Sequence, residues 1–346
     1  MHARGSPFVT RSSTLPQRLF TLLAEASASS PGGERRWLSG AALAAGFGVS
    51  RSAISKAAAE LRALGLALES LPRQGYRLRR PLAALDASAV RDCLPGLAQA
   101  QIHSGDCLWQ TGSTNADLLA RAAPPAGQID FLACEIQREG RGRRGRRWLA
   151  PPGGGLCLSW SRSFDALPPQ AGALSLVVGV TALRALRRFG AESLRLKWPN
   201  DLVTAQGKLG GILIELRSEA SGPLHLVVGI GINLLLDPKL ADEVMAHGNR
   251  ATDLATLGLA PDRNALIAAL IEEGREGLAV LEKEGFAPFA AEFAAYDSLE
   301  GQRVIVRGAQ DCEGVALGVD SDGALRVRTA HGIERILSGD VSVRAA

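Results

Sequence analysis
The eight residues Gly140–Arg147 read GRGRRGRR, five arginines among three glycines. Glycine lets a backbone come close to a bound molecule, and a guanidinium fork grips phosphate or carboxylate through paired donors. The same residues also fit a solvated basic loop that holds nucleic acid without specificity. Four further segments concentrate reactive groups. Ser113-Thr114-Asn115 offers two hydroxyls and an amide that can read a small polar head group, or simply cap the next helix. Lys197-Trp198-Pro199-Asn200-Asp201 joins a cation, a rigid turn and two polar acceptors. Gly207-Lys208-Leu209-Gly210-Gly211 sets a lysine between glycines, and Gly229-Ile230-Gly231-Ile232-Asn233 ends a predicted strand where glycines again clear space.

Gly140, Gly142 and Gly145 spell G-x-G-x-x-G, and Asp165 lies 20 residues further on. A dinucleotide-binding turn must open a helix whose N-terminus meets the pyrophosphate. Trp148-Leu149-Ala150-Pro151-Pro152 and three glycines follow instead, and no helix survives that run. A nicotinamide-dependent oxidoreductase is therefore set aside. No G-x-x-x-x-G-K-[ST] occurs, which disfavours a P-loop nucleotidase.

The elements that must position these segments fall into three groups. Apolar residues at helical spacing mark a helix over 15–26, and a Ser/Pro/Gly-rich loop spans 27–36. A short helix over 39–45 is expected to break at Gly46 and Gly48. Ser50 caps a third helix that stops at Gly65, with Ile54, Ala58, Leu61 and Leu64 inward and Arg51, Ser52, Ser55 and Lys56 mostly outward. Two strands around a turn at Pro72–Gly75, with Arg73 at its tip, complete a winged helix-turn-helix over 15–80. In that motif the second of the paired helices enters the DNA major groove and the hairpin touches phosphates. Residues 81–104 read as a hinge with a short helix. Residues 105–298 alternate strand-like and helix-like stretches, a mixed α/β domain. Short strands with hairpin signals at Asp322-Gly323 and His331-Gly332 make 299–346 a small β-barrel.

Charge divides along the same lines. Residues 1–80 hold 12 Lys/Arg against 4 Asp/Glu (net +8), which leaves 27 against 31 (net −4) for the remainder. A basic first quarter on a near-neutral body implies a nucleic-acid surface joined to a unit with another role. The composition, 46% hydrophobic and 21% charged, is that of an ordinary globular chain. No apolar run nears the ~20 residues of a membrane helix, so no membrane association is expected. The odd set of five cysteines without metal or redox spacing points to buried, inert thiols in a reducing cytoplasm. No histidine has a partner at metal spacing, so no structural metal is expected. The tryptophans at 109, 148, 160 and 198 read as packing residues, with an adenine-stacking platform as the alternative for one of them, and the first 14 residues as a disordered tail.

The ordered set STN, GRGRRGR, KWPND, GKLGGILIE and GIGIN resembles that of the biotin–protein ligases, and the flanking units resemble the bifunctional ligase/repressor type. The resemblance implies a class II synthetase-like catalytic domain and a C-terminal Src-homology-3-like barrel. It implies that biotin and ATP, with Mg²⁺, give biotinyl-5′-AMP, and that biotin passes to a lysine of a biotin carboxyl carrier protein. Carried over residue by residue, it implies biotin contacts at Ser113, Thr114, Asn115, Gln137, Arg141, Gly142, Arg143, Lys208, Gly210, Gly211, Gly229 and Gly231. Lys197, Asn200, Asp201 and Asn233 fall on the ATP and metal side, with Lys208, Arg143 and Asp201 catalytic; for Asp201 an amine-side and a metal-side role both stand. Operator DNA and a homodimer formed on adenylate binding are the implied partners. A ligand-sensing repressor without ligase activity and a lipoate-type ligase are the alternatives. Two departures are the charged Arg138-Glu139 flank before the loop and the insertion at 27–36, and the small residues at 52, 53 and 55 leave the operator unassigned.

Overall fold
Helix α1 (Leu15–Ala28) buries Leu19, Phe20, Leu23 and Ala24 against α3 (Arg51–Ala63), whose inward face is Ile54, Ala57, Ala58 and Leu61. Leu64, expected inside, is half-buried at the helix end. Between them α2 (Gly40–Phe47) runs through Gly46 rather than breaking there; Gly48, with φ 66°, terminates it. Ser39 and Ser50 cap α2 and α3 through their side chains. Strands β1 (Leu68–Leu71) and β2 (Gly75–Leu78) form the wing, and Leu38 makes an isolated antiparallel bridge to Tyr76. The structure, a computed structural model, describes residues 13–28, 36–168, 170–218, 223–236, 250–308, 311–338 and 342–345. Most of the expected tail and of the 27–36 loop lies outside the described residues.

The stretch read as a hinge is more firmly built than its sequence implied. It carries α4 (Ala87–Asp92) and α5 (Gly96–Ala100), and Leu85, Val90, Leu94 and Ala98 belong to the core of the central domain. A buried ion pair fixes its start. Arg263 forks onto Glu135 at 2.7 and 2.8 Å and donates to the Ala83 carbonyl, while Glu135 accepts from the Leu85 amide. Asn264 adds hydrogen bonds to the backbone of Ala84 and Asp86. Phe20 of α1 also meets Trp109, with ring centroids 5.1 Å apart.

Among the described residues the central sheet has seven strands: β3 (Ile102–Thr111), β4 (Ile129–Gln137), β5 (Gly155–Phe164), β6 (Arg195–Lys197), β7 (Asp201–Thr204), β8 (Gly207–Arg217) and β9 (Leu224–Asn233). Their order is β3-β4-β5-β9-β8-β7-β6, and β3–β4 is the parallel pair in an otherwise antiparallel sheet. Helix α6 (Thr114–Ala120) sets Leu118 against Leu132 and Val227. Helices α7 (Leu174–Arg187) and α8 (Arg263–Glu284) pack with Leu156, Leu158 and Trp160 in the main core. Covered on both faces, β4 is buried over Ile129–Ile136 and reads as an almost continuous apolar run. Helix α9 (Ala287–Tyr296) leads to β10 (Arg303–Arg307), β11 (Cys312–Val319), β12 (Leu325–Thr329), β13 (Gly332–Ile336) and β14 (Ser342–Ala345), an antiparallel sheet of order β13-β12-β11-β10-β14. Of the five thiols, Cys107, Cys134 and Cys157 are buried, but Cys93 is exposed and Cys312 half-buried, so burial does not hold for all five. Among the described residues no helix is long and apolar enough to cross a membrane.

Candidate active site
The ends of β4, β5, β8 and β9, the N-terminus of α6 and the arginine loop enclose a cavity of about 260 Å³. Ser113, the N-cap of α6, accepts from the Ala116 amide and thereby aims the two residues after it at the sheet. The Thr114 amide and hydroxyl reach Gln137 Oε1 at 2.8 and 3.1 Å, and its Oγ1 stands 2.6 Å from Ser159 Oγ. Ser159 donates to Asn115 Oδ1 at 2.5 Å, and Asn115 Nδ2 donates to Glu215 at 2.8 Å. Thr114, Asn115 and Ser159 are all buried. A Cβ at Gly229 would collide with the Asn115 amide, and one at Gly231 with the Trp148 ring. These two glycines thus make room for two side chains that line the cavity.

At the other end the backbone of Lys208 is held by Arg250 and Thr252, so its side chain leaves the strand toward Asp201. Lys208 Nζ donates to Asp201 Oδ1 at 2.5 Å, with both side chains part-exposed to the cavity. Asn200 donates to the Ile212 carbonyl at 2.6 Å and Asn233 to that of Thr252 at 3.0 Å, so both amides brace the wall. Trp198 is buried, and its indole donates to the Gly323 carbonyl of the β11–β12 turn at 3.0 Å. Val343 of β14 also lines the cavity, so the C-terminal sheet abuts the site.

The arginine loop forms no α-helix. A bridge between Arg141 and Arg147 closes it around a 3-10 turn at Arg143–Gly145, with Arg144 at φ 60°. Arg141, Arg144, Arg146 and Arg147 are exposed and Arg143 is half-buried. The charged flank runs along β3: Arg138 donates to Gln110 at 2.8 Å, and Glu139 lies 3.7 Å from Arg141.

The residues marked by sequence therefore converge. Ser113, Thr114, Asn115, Gln137, Arg141, Gly142, Arg143, Lys208, Gly211, Gly229 and Gly231 line one cavity with Lys197, Asn200, Asp201 and Asn233. Gly210 does not; a Cβ there would meet the Gly231 carbonyl at 2.6 Å. Sequence reasoning missed Ser159 and Arg250, carried Glu215 only as the end of the GKLGGILIE segment without a role, and read Trp148 first as packing although it lines the cavity. Ser159 had a signal, as a polar residue inside an apolar strand. Apart from this site, Arg51, Ser52, Ser55 and Lys56 are exposed on α3, and Arg73 is exposed at the wing tip.

This architecture matches known proteins throughout. Residues 110–233 match the Biotin/lipoate A/B protein ligase family, 301–344 the biotin protein ligase C-terminal domain and 33–77 an HTH domain. The chain belongs to the biotin–protein ligases. More narrowly, it belongs with the bifunctional ligase/repressors: it is 34% identical to the bifunctional ligase/repressor BirA of Escherichia coli over 97% of this chain and 99% of that one. It is 37% identical to the biotin–[acetyl-CoA-carboxylase] ligase of Mycobacterium tuberculosis over 77% of this chain and 97% of that one. Among solved structures, the biotin protein ligase of Aquifex aeolicus in complex with biotin and ATP is similar at a TM-score of 0.59 and 27% identity, covering 70% of this chain and all of that one.

Proposed function
We propose that this chain activates biotin with ATP to biotinyl-5′-AMP and transfers the biotinyl group to a lysine of a biotin carboxyl carrier protein, in the cytoplasm. One observation carries the reading: a single cavity has a polar head of buried Thr114 and Asn115 with half-buried Gln137, a lysine–aspartate pair at the other end, and a cationic loop beside both. The ureido ring takes the head, and the valeryl chain runs past Gly229 and Gly231 to bring its carboxylate to Lys208. A carboxylate oxygen attacks the α-phosphorus, and pyrophosphate leaves. Both reactants are anions, so positive charge fixed in advance at Lys208 and Arg143 lowers the barrier; one such donor is typically worth roughly 3–4 kcal/mol.

Magnesium arrives as Mg·ATP and neutralises phosphate charge. The residues present suit that form: among the described residues no cluster of three metal-ligating side chains exists, while Asn200 and Asp201 stand in the cavity to supplement phosphate and water ligands. In the second step a neutral lysine amine attacks the acyl carbon and AMP leaves. Asp201, freed when phosphate takes the Lys208 ammonium, orients that amine and receives its proton. Closure of the arginine loop keeps water from the adenylate.

The proposed division of labour assigns 15–80 to DNA, 81–104 to the connection, 105–298 to catalysis and 299–346 to closing the ATP side. Biotinyl-adenylate acts as corepressor by favouring a homodimer whose two α3 helices, through Arg51, Ser52, Ser55 and Lys56 with Arg73 on the wing, meet a palindromic operator. The pure protein is mixed with biotin and Mg·ATP, and bound adenylate is sought by mass spectrometry before carrier protein is added. Retained adenylate followed by a labelled carrier lysine is expected; unchanged biotin and ATP would overturn the reading.

A further inference from the structure
The head of the cavity is a chain of hydrogen bonds whose direction is fixed from its far end. A carboxylate and a backbone carbonyl offer acceptors only. Asn115 Nδ2 faces both, Glu215 Oε2 at 2.8 Å and the Leu213 carbonyl at 3.4 Å, so both of its hydrogens are committed. Its Oδ1 must then point the other way, where Ser159 donates at 2.5 Å. That spends the one proton of Ser159, so at the 2.6 Å contact with Thr114 its oxygen can only accept. The Thr114 proton goes to Ser159, and Gln137 Oε1 is left with the Thr114 amide. Gly229 leaves the room in which the Asn115 amide sits.

We propose that Ser159 and Glu215 are specificity-determining positioning residues: together they turn the lone pairs of Thr114 Oγ1 and Asn115 Oδ1 toward the ligand, so that the head of the cavity selects a ring bearing N–H donors. The inference rests on the proposed function and deepens it. A cyclic urea presents two such N–H groups; a dithiolane acid of similar length presents none and leaves these acceptors unpaired. Discrimination therefore comes from two residues with no assigned role in the reaction, one of them on the side of Asn115 away from Thr114.

The test measures biotin and lipoate affinity by calorimetry, and KM for biotin and for ATP in pyrophosphate release, on the full chain and on S159A, E215L and E215Q. Melting curves check that each is folded. S159A and E215L are expected to weaken biotin binding about 10- to 100-fold, the effect of losing one or two oriented hydrogen bonds. The loss should appear in KM for biotin and not in KM for ATP, and lipoate affinity should stay as it was. E215Q keeps an acceptor and should recover most of what E215L loses. Equal losses for both acids, unchanged biotin affinity, or an E215Q as poor as E215L would each overturn the inference. Failure of the unsubstituted protein to bind or adenylate biotin would instead overturn the proposed function.

Discussion

The head of the cavity and the arginine loop beside it are built in opposite ways. The head lies on strands and a helix N-terminus, with Thr114, Asn115 and Ser159 buried and joined to one another and to half-buried Gln137 and Glu215. The arginine loop is mostly exposed, closed by one bridge and a short 3-10 turn. Groups already joined to one another by hydrogen bonds need little reorganisation and can discriminate, while an exposed guanidinium can shift to meet a ligand's charge. In the proposed mechanism selection and catalysis are thus separated in space, with the head at one end of the cavity and Lys208 and Asp201 at the other.

Substitutions at each end should separate these roles. The largest effect is expected for K208A: adenylate formation should fall about 10²- to 10³-fold, as for loss of one preorganised donor, read as single-turnover pyrophosphate release. R143A should cut the same rate by about 10²-fold and speed loss of bound adenylate, while the preference for biotin over lipoate stays unchanged; a shift in that preference would erase the contrast between the ends. G229A should do the reverse. Its methyl displaces the Asn115 amide, which should weaken biotin binding about tenfold, one hydrogen bond's worth, without changing KM for ATP.

The smallest effect tests what full partnering is worth. Asp297, just beyond α9, is buried, and one carboxylate oxygen has no partner. Burial pushes its pKa from 3.8 up to about 6. Ionising it in the folded state is therefore costly: stability is greatest below pH ~4 and falls as pH rises toward ~6. The shift corresponds to roughly 3 kcal/mol at most, and the amide of D297N would leave an N–H unpaired at a cost of about 1–3 kcal/mol. A net gain near 1 kcal/mol at pH 7 is expected. The clearer readout is loss of the slope between pH 4 and 6 in urea unfolding.

Much of this was legible in the sequence because the chemistry is carried by contiguous motifs at strand ends. The five segments meet because β5, β8 and β9 are neighbours in one sheet. Three things were not legible. Ser159, and the bond of Glu215 (the end of the GKLGGILIE segment) to Asn115, act across strands, through register pairs such as Ser159 with Gly229, and no local spacing encodes register. Trp148 looked like packing because its cavity exists only where Gly231 lacks a side chain. The bond from Trp198 to Gly323 spans 125 residues and ties a catalytic-domain motif to the C-terminal sheet. The short strands β6 and β7 and helix α9 also escaped, being too brief or too uniformly apolar to show a period.

The clamp between Arg263 and Glu135 has a mechanical consequence. With the backbone at Ala83 to Asp86 stapled to α8 and β4, only a short stretch separates Leu78, the end of the wing, from a fixed point on the central domain. The same clamp seats on Glu135 of β4, the strand that ends two residues later at Gln137 in the cavity wall. In the homodimer proposed above, spacing between two reading heads would then be a property of how whole copies abut, much as the gauge of a railway is set by its sleepers and not by any slack in the rails.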